Sequence, residues 1–129
     1  MLRQYWPKRT ETVKLESREF QVWGYCVSHR LLLLMSTMEM GYKSRVCILF
    51  AETREIRAPT TLEIEEVRFD PLSTAAPRIF QLVSRRRQYS IEAASMFIDE
   101  DDDRYDSPTI LDRWLSTSSE AVMPSTRGY

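Results

Sequence analysis

FQVWGYCV at residues 20–27 and LLLLM at residues 31–35 carry the strongest β signal in this chain. Aromatic and β-branched side chains, which fill the first segment, pack well on a pleated sheet. Alternation along a strand makes both of its faces apolar, with Phe20, Val22 and Cys26 on one and Trp23, Tyr25 and Val27 on the other. We therefore expect one face to meet the core and the other to be covered by a terminus or a second chain. The short run at 31–35 predicts a central strand, with a buried helical turn as the alternative.

Other strands follow from apolar alternation and turn signals on either side of this pair. Residues 11–16 alternate polar and apolar side chains, and residues 17–19 indicate a turn. Downstream, a hairpin leads into the compact apolar strand at residues 45–50. The alternation within residues 62–69 changes parity, which predicts a bulge or bend near Glu65-Glu66.

The last third of the chain is less clear-cut. Residues 88–98 alternate weakly and predict a long strand, although several good helix formers make a helix the alternative. Ser107 as N-cap and Pro108 as the first helical residue predict a short helix. Its apolar face comprises Ile110, Leu111, Trp114 and Leu115.

These elements predict a mainly β protein: an antiparallel sandwich or strongly curved sheet of about seven or eight strands, with one short C-terminal helix. An α+β arrangement is the alternative if residues 88–98 are helical. A chain of 129 residues can bury one core. We expect residues 1–115 to form a single globular domain and residues 116–129, which are small, polar and non-periodic, to form a loose C-terminal tail.

Charge and composition exclude several classes of function. Eighteen Lys and Arg against nineteen Asp and Glu leave a net charge of −1, so no global field indicates nucleic acid or an anionic membrane as a partner. The longest apolar run is far shorter than the roughly 20 residues of a membrane helix. Residues 1–9 lack the apolar stretch of a secretory signal, which favours a cytoplasmic protein. Cys26 and Cys47 are expected to be free thiols in a reducing compartment. A homo-oligomer remains open.

No set of residues predicts catalysis, a cofactor or a metal. His29 is the single histidine, so any triad or zinc site would need it, and we expect a structural or surface side chain instead. The acidic stretch at residues 99–106 resembles a calcium loop, but Arg104 stands where such a loop needs glycine. The Arg85-Arg86-Arg87 run has the guanidinium groups of a phosphate site, with a solvated turn as the plainer interpretation.

The acidic stretch and the following helix are predicted to face a protein partner with a basic surface. The predicted contact residues are Asp101, Asp102, Asp103, Asp106 and Trp114. The leading hypothesis is a non-catalytic protein-binding module, such as a small bacterial inhibitor or immunity-type protein. The alternative is an enzyme or small-ligand binder whose site is assembled from scattered carboxylates and aromatics. The string Tyr5-Trp6-Pro7, together with residues 20–29 and the run at 31–34, resembles small bacterial proteins, which implies neither a family nor a site residue.

Overall fold

The computed structural model describes residues 2–4, 11–69, 78–112 and 115. Nine β-strands lie within these ranges. They are β1 (Leu2–Gln4), β2 (Glu11–Cys26), β3 (Leu31–Ser36), β4 (Arg45–Ala51), β5 (Glu55–Arg57), β6 (Thr61–Phe69), β7 (Arg78–Val83), β8 (Gln88–Ala93) and β9 (Ser95–Asp101). A short helix, α1, begins at Ile110. The mainly β prediction is confirmed, and the α+β alternative is wrong because residues 88–98 belong to β8 and β9.

The strands form one antiparallel sheet in the order β1-β9-β4-β3-β2-β6-β7-β8-β5. Only Ala94 separates β8 from β9, so these two strands are halves of one bent strand. β4 and β5 follow the same bend. The Ala94 amide donates to the Ala51 carbonyl over 3.0 Å, and the Arg54 amide donates to the Glu92 carbonyl over 2.7 Å. β8 and β9 are continuous in the chain, yet they lie near opposite ends of the strand order. The sheet must therefore curve until it closes on itself. Of the two predicted arrangements, a sandwich and a strongly curved sheet, the structure shows the strongly curved sheet.

The inner face of the curved sheet holds the main core. Strand β6 shows the pattern, because its inward residues Leu62, Ile64, Val67 and Phe69 are buried while Thr61, Glu63, Glu65 and Arg68 are exposed. The ring of Phe80 lies 5.5 Å from that of Phe50 and 5.6 Å from that of Phe69, between centroids. Each fully buried large apolar side chain stabilises the fold by about 1.5–3 kcal/mol.

A second, smaller core lies on the outer face of β3 and β4. Its buried members are Leu31, Leu33, Met35, Cys47, Leu49, Ala51 and Ile110, with Leu111 and Leu115 packed against it. The C-terminal helix therefore covers this face, and a Cβ placed on Gly24 would meet Leu111 at 3.6 Å. The run at residues 31–35 is buried on both faces, as a central strand requires. The expectation that the face carrying Trp23, Tyr25 and Val27 is covered is wrong, because these side chains are 41%, 48% and 82% exposed. Cys26 and Cys47 form no disulfide, as predicted.

Strand β2 bends twice, and each bend corrects a detail of the sequence-based prediction. The first is a register shift between Lys14 and Arg18 against β6, where Glu16 and Ser17 adopt left-handed φ values of 58° and 55°. The predicted turn at 17–19 is therefore wrong, because the strand continues through a bulge. That bulge lies opposite Glu65, where the change of parity predicted an irregularity.

The second bend lies between Val22 and Gly24, where the register against β3 shifts at Trp23. An extra residue reverses the parity of the side chains that follow it. Phe20 and Val22 face the inner core as expected, but Cys26 packs against the outer core. The prediction that these three residues share one face is wrong for Cys26.

The helix begins two residues later than predicted. Thr109, not Ser107, is the N-cap: the Leu111 amide donates to Thr109 Oγ1 over 3.2 Å. The Asp112 carboxylate accepts from the Thr109 amide over 2.7 Å, so side chains satisfy two amides at the start of the helix. Pro108 precedes the helix, because its carbonyl accepts a hydrogen bond from the Arg45 side chain. The proposed tail at residues 116–129 lies outside the described residues.

Candidate partner-binding surface

Arg45 organises the acidic end of the sheet. It is the first residue of β4, and its side chain is 0% exposed. Its Nε donates to Asp101 Oδ1 over 2.9 Å and its Nη2 to Asp101 Oδ2 over 2.8 Å, a bidentate ion pair with the last residue of β9. The two strands set up this contact, because Arg45 and Asp101 are register partners in the sheet.

The remaining donors of Arg45 bind the backbone that follows Asp101. Nη1 donates to the carbonyls of Arg104 and Ser107 over 2.9 and 3.0 Å, and Nη2 donates to that of Pro108 over 3.0 Å. With the two bonds to Asp101, the five N–H groups of a guanidinium are all used. We call this arrangement the Arg45 clasp. It accounts for a fully buried charge, since such a charge is tolerated only when paired and fully hydrogen-bonded.

The electrostatics of the clasp favour the charged form of Arg45. Burial by itself would lower the pKa of the guanidinium, but the hydrogen bonds and negative charge of Asp101, with further help from Asp103, raise that pKa above its usual value. Arg45 is therefore a permanent counter-charge inside a loop that the sequence shows as almost wholly acidic.

The acidic loop, residues 101–106, is held in shape by the clasp and by local turns. The Asp103 amide donates to Asp101 Oδ1 over 3.0 Å, and the Ser107 amide donates to the Arg104 carbonyl over 3.0 Å. Of the predicted contact residues, Asp101 is largely buried in the clasp, whereas Asp102, Asp103 and Asp106 are exposed. The structure thus divides these four carboxylates into one that positions the loop and three that face solvent.

Two exposed aromatic side chains lie beside these carboxylates. Trp23, at the second bulge of β2, and Tyr105, in the acidic loop, are each 41% exposed. Their ring centroids are 6.1 Å apart in an edge-to-face arrangement, with 72° between the ring planes. We call Trp23, Asp102, Asp103, Tyr105 and Asp106 the acidic–aromatic surface. Trp114, the aromatic residue predicted for this role, lies outside the described residues.

A second buried arginine supports the neighbouring loop between β3 and β4. Arg18 donates from Nε to Ser36 Oγ over 3.1 Å and from Nη1 to Ser44 Oγ over 2.9 Å, and it also donates to the Ser44 carbonyl. Its guanidinium stacks 4.5 Å from the centre of the Tyr42 ring. Burial lowers the pKa of Arg18, although the negative charge of Glu100 opposes that shift. Ser44 joins this arginine to β9 by donating to Glu100 over 2.6 Å.

The other candidate residues lie apart from this surface. His29 is exposed on a turn, with Nδ1 3.9 Å from a Glu52 carboxylate oxygen. Arg85, Arg86 and Arg87 form the exposed turn between β7 and β8. Within the described ranges, no three His, Cys, Asp or Glu side chains converge as metal ligands. No helix in that part of the chain is long and apolar enough to cross a membrane.

Reasoning from sequence missed the residues that organise the surface. Arg45 begins an apolar strand, and no local pattern reveals that its side chain will be buried against a loop 56 residues away. Trp23 is expected on a face covered by a terminus or a second chain, but its side chain is 41% exposed. Protein-family models, curated proteins and solved structures give no significant match to this chain.

Proposed function

We propose that this protein is a non-catalytic protein-binding module whose acidic–aromatic surface docks on a basic surface of a protein partner. The observation that carries the proposal is the Arg45 clasp, which fixes the acidic loop while Asp102, Asp103 and Asp106 remain exposed. A loop that is ordered before binding loses less conformational entropy when it binds. The clasp thus favours recognition over a purely connecting role.

The exposed carboxylates supply long-range attraction. Three of them lie within five consecutive residues, 102–106, so their fields add at a distance of several ångströms from the surface. Such a field speeds the encounter with a basic partner more than it strengthens the final complex, and salt screens it beyond about 10 Å at 0.1 M. The association rate is therefore the quantity that these residues should control.

The aromatic pair supplies the apolar contact that charge alone lacks. Tryptophan and tyrosine are enriched among the interface residues that contribute most to binding energy. Trp23 and Tyr105 restrict each other by their edge-to-face contact, which limits the rotamer freedom lost on binding. Trp114, on the same C-terminal segment, is proposed as a further contact, and Asp101 acts by holding the loop.

The finer form of the proposal is a small cytoplasmic bacterial inhibitor or immunity-type protein, in which the basic surface belongs to the protein that is inhibited. A toxin reading frame beside the coding sequence would support this form, and its product would be the first partner to test. A neighbourhood without one would favour a general binding module.

Affinity capture with matched variants tests the proposal. Tagged wild-type protein is compared with D102N/D103N/D106N, and with the control E52Q/E55Q/E92Q, which removes three carboxylates from the turn after β4 and from the β5–β8 pair. We expect one protein that wild type and control retain and that the acidic-loop variant loses. With that protein purified, stopped-flow association at low salt should slow at least tenfold in the variant. Equal retention and equal rates would contradict the proposal.

A further inference from the structure

The turn between β7 and β8 presents the most concentrated positive charge among the described residues. Ser84 closes the turn: its amide donates to the Arg87 carbonyl over 2.8 Å, and its hydroxyl accepts from the Arg87 amide over 3.1 Å. Arg85, Arg86 and Arg87 are all exposed, and none of them forms an ion pair with another described residue. We call residues 84–89 the basic hairpin.

Two open grooves flank the basic hairpin and meet at Tyr89. The first, of about 350 Å³, is lined by Glu63, Ser84, Arg85, Arg86, Arg87 and Tyr89. The second, of about 400 Å³, is lined by Arg57, Ile79, Gln81, Gln88, Tyr89 and Ser90. Ile79 is 53% exposed in this groove, and Tyr89 is half-buried. The hairpin thus combines guanidinium groups with an apolar and aromatic floor.

Within the part of the chain that the structure describes, no ion pair joins the basic hairpin to the acidic–aromatic surface of the same molecule. The two lie at opposite ends of the bent strand formed by β8 and β9. At about 3.3 Å per residue, each half of that strand is about 20 Å long. The charge of each surface is therefore available to a counterpart on another molecule.

We propose that the chain associates head to tail, with the acidic–aromatic surface of one copy docked on the basic hairpin of the next. This inference rests on the proposed function and names its partner as a second copy of the chain. Three exposed carboxylates meet three exposed guanidinium groups, and the Trp23–Tyr105 pair meets the groove that holds Ile79 and Tyr89. The charge complementarity of the two surfaces is what selects this occupant.

The symmetry of such a contact determines what assembles. Two different surfaces of one chain form a heterologous interface, which yields a ring if the rotation closes and an open chain of copies if it does not. The contact charges are exposed in the free protein, so the association is expected to be favoured at low salt and weakened as salt rises.

Analytical ultracentrifugation with complementary variants tests the proposal. We expect wild-type protein to sediment as species larger than a monomer at 20 mM salt, and as a monomer at 500 mM salt. The variants R85Q/R86Q/R87Q and D102N/D103N/D106N should each be monomeric alone. Mixed in equal amounts, they retain one intact acidic surface and one intact basic hairpin, so they should form a 1:1 dimer that does not grow further. The control K14Q/R54Q/R68Q, which removes three exposed positive charges elsewhere, should associate like wild type.

Three outcomes would overturn the inference. The first is a wild-type protein that stays monomeric at low salt, and the second is association that persists in either neutralised variant. The third is a monomer that binds single-stranded oligo-dT through the basic hairpin, since this would assign the hairpin to a polyanion. These results do not affect the capture experiment. If a different protein is captured by wild type and lost by D102N/D103N/D106N, the proposed function stands.

Discussion

The acidic loop and the basic hairpin are charged turns at the two ends of the same bent strand, yet they are held in different ways. The hairpin closes through its own residues, Ser84 and Arg87, and all three arginines project into solvent. The acidic loop is held from outside by Arg45, a buried side chain from the neighbouring strand. A run of like charge therefore does not reveal whether the turn that carries it is independent or is part of the core.

Removing the clasp gives the largest expected effect. Arg45→Met removes both guanidinium hydrogen bonds to the Asp101 carboxylate and the donors to three backbone carbonyls, at a position where the guanidinium is fully buried. Breaking a buried ion pair from one side costs about 3–5 kcal/mol of unfolding free energy. Urea unfolding followed by circular dichroism measures it.

The matched control for this change is Arg86→Met on the basic hairpin. It removes the same side chain from an exposed turn, and its effect is expected to stay within about 0.5 kcal/mol. Equal losses in the two variants would show that the acidic loop and the hairpin do not differ in the way that the contacts indicate.

The same contrast explains which parts of the molecule could be predicted from its sequence. Strands follow from local alternation and apolar runs, so the buried run at 31–35 and the irregularity near Glu65 were predictable. The position of the bulge at Trp23 was not, because one inserted residue reverses side-chain parity without a local signal, and this misplaced Cys26. The acidic loop was recognised as a candidate surface from its charges. Arg45 was not recognised, because its partners are distant in sequence and only strand pairing brings them together.

The helix cap gives an intermediate effect and tests whether the acidic loop and α1 are stabilised separately. Thr109→Ala removes the hydroxyl that accepts from the Leu111 amide, and losing such a cap costs about 1 kcal/mol. Urea unfolding checks this value, with Thr60→Ala, at an exposed bend, as the control. A loss of 3 kcal/mol or more would mean that the cap and the Arg45 clasp form one cooperative unit.

The smallest expected effect is the change in stability when one charge in each turn is neutralised, and it depends on the counter-charge beside that turn. Arg86 lies between two arginines and Asp102 between two aspartates, so neutralising either one relieves repulsion and should raise stability at low salt. The gain from Arg86→Gln is expected to be a few tenths of a kcal/mol, in the range usual for exposed positions, which is about 1 °C in melting temperature. The gain from Asp102→Asn should be smaller, because Arg45 already neutralises part of the acidic loop, with Asp103 3.7 Å from its Nη2.

Differential scanning calorimetry at 10 mM and 1 M salt measures both gains in stability, and both gains should vanish at 1 M, where the Debye length is about 3 Å. An Asp102→Asn gain larger than that of Arg86→Gln would mean that the buried guanidinium does not moderate the exposed carboxylates, and the acidic loop would then be as self-repelling as its sequence alone indicates.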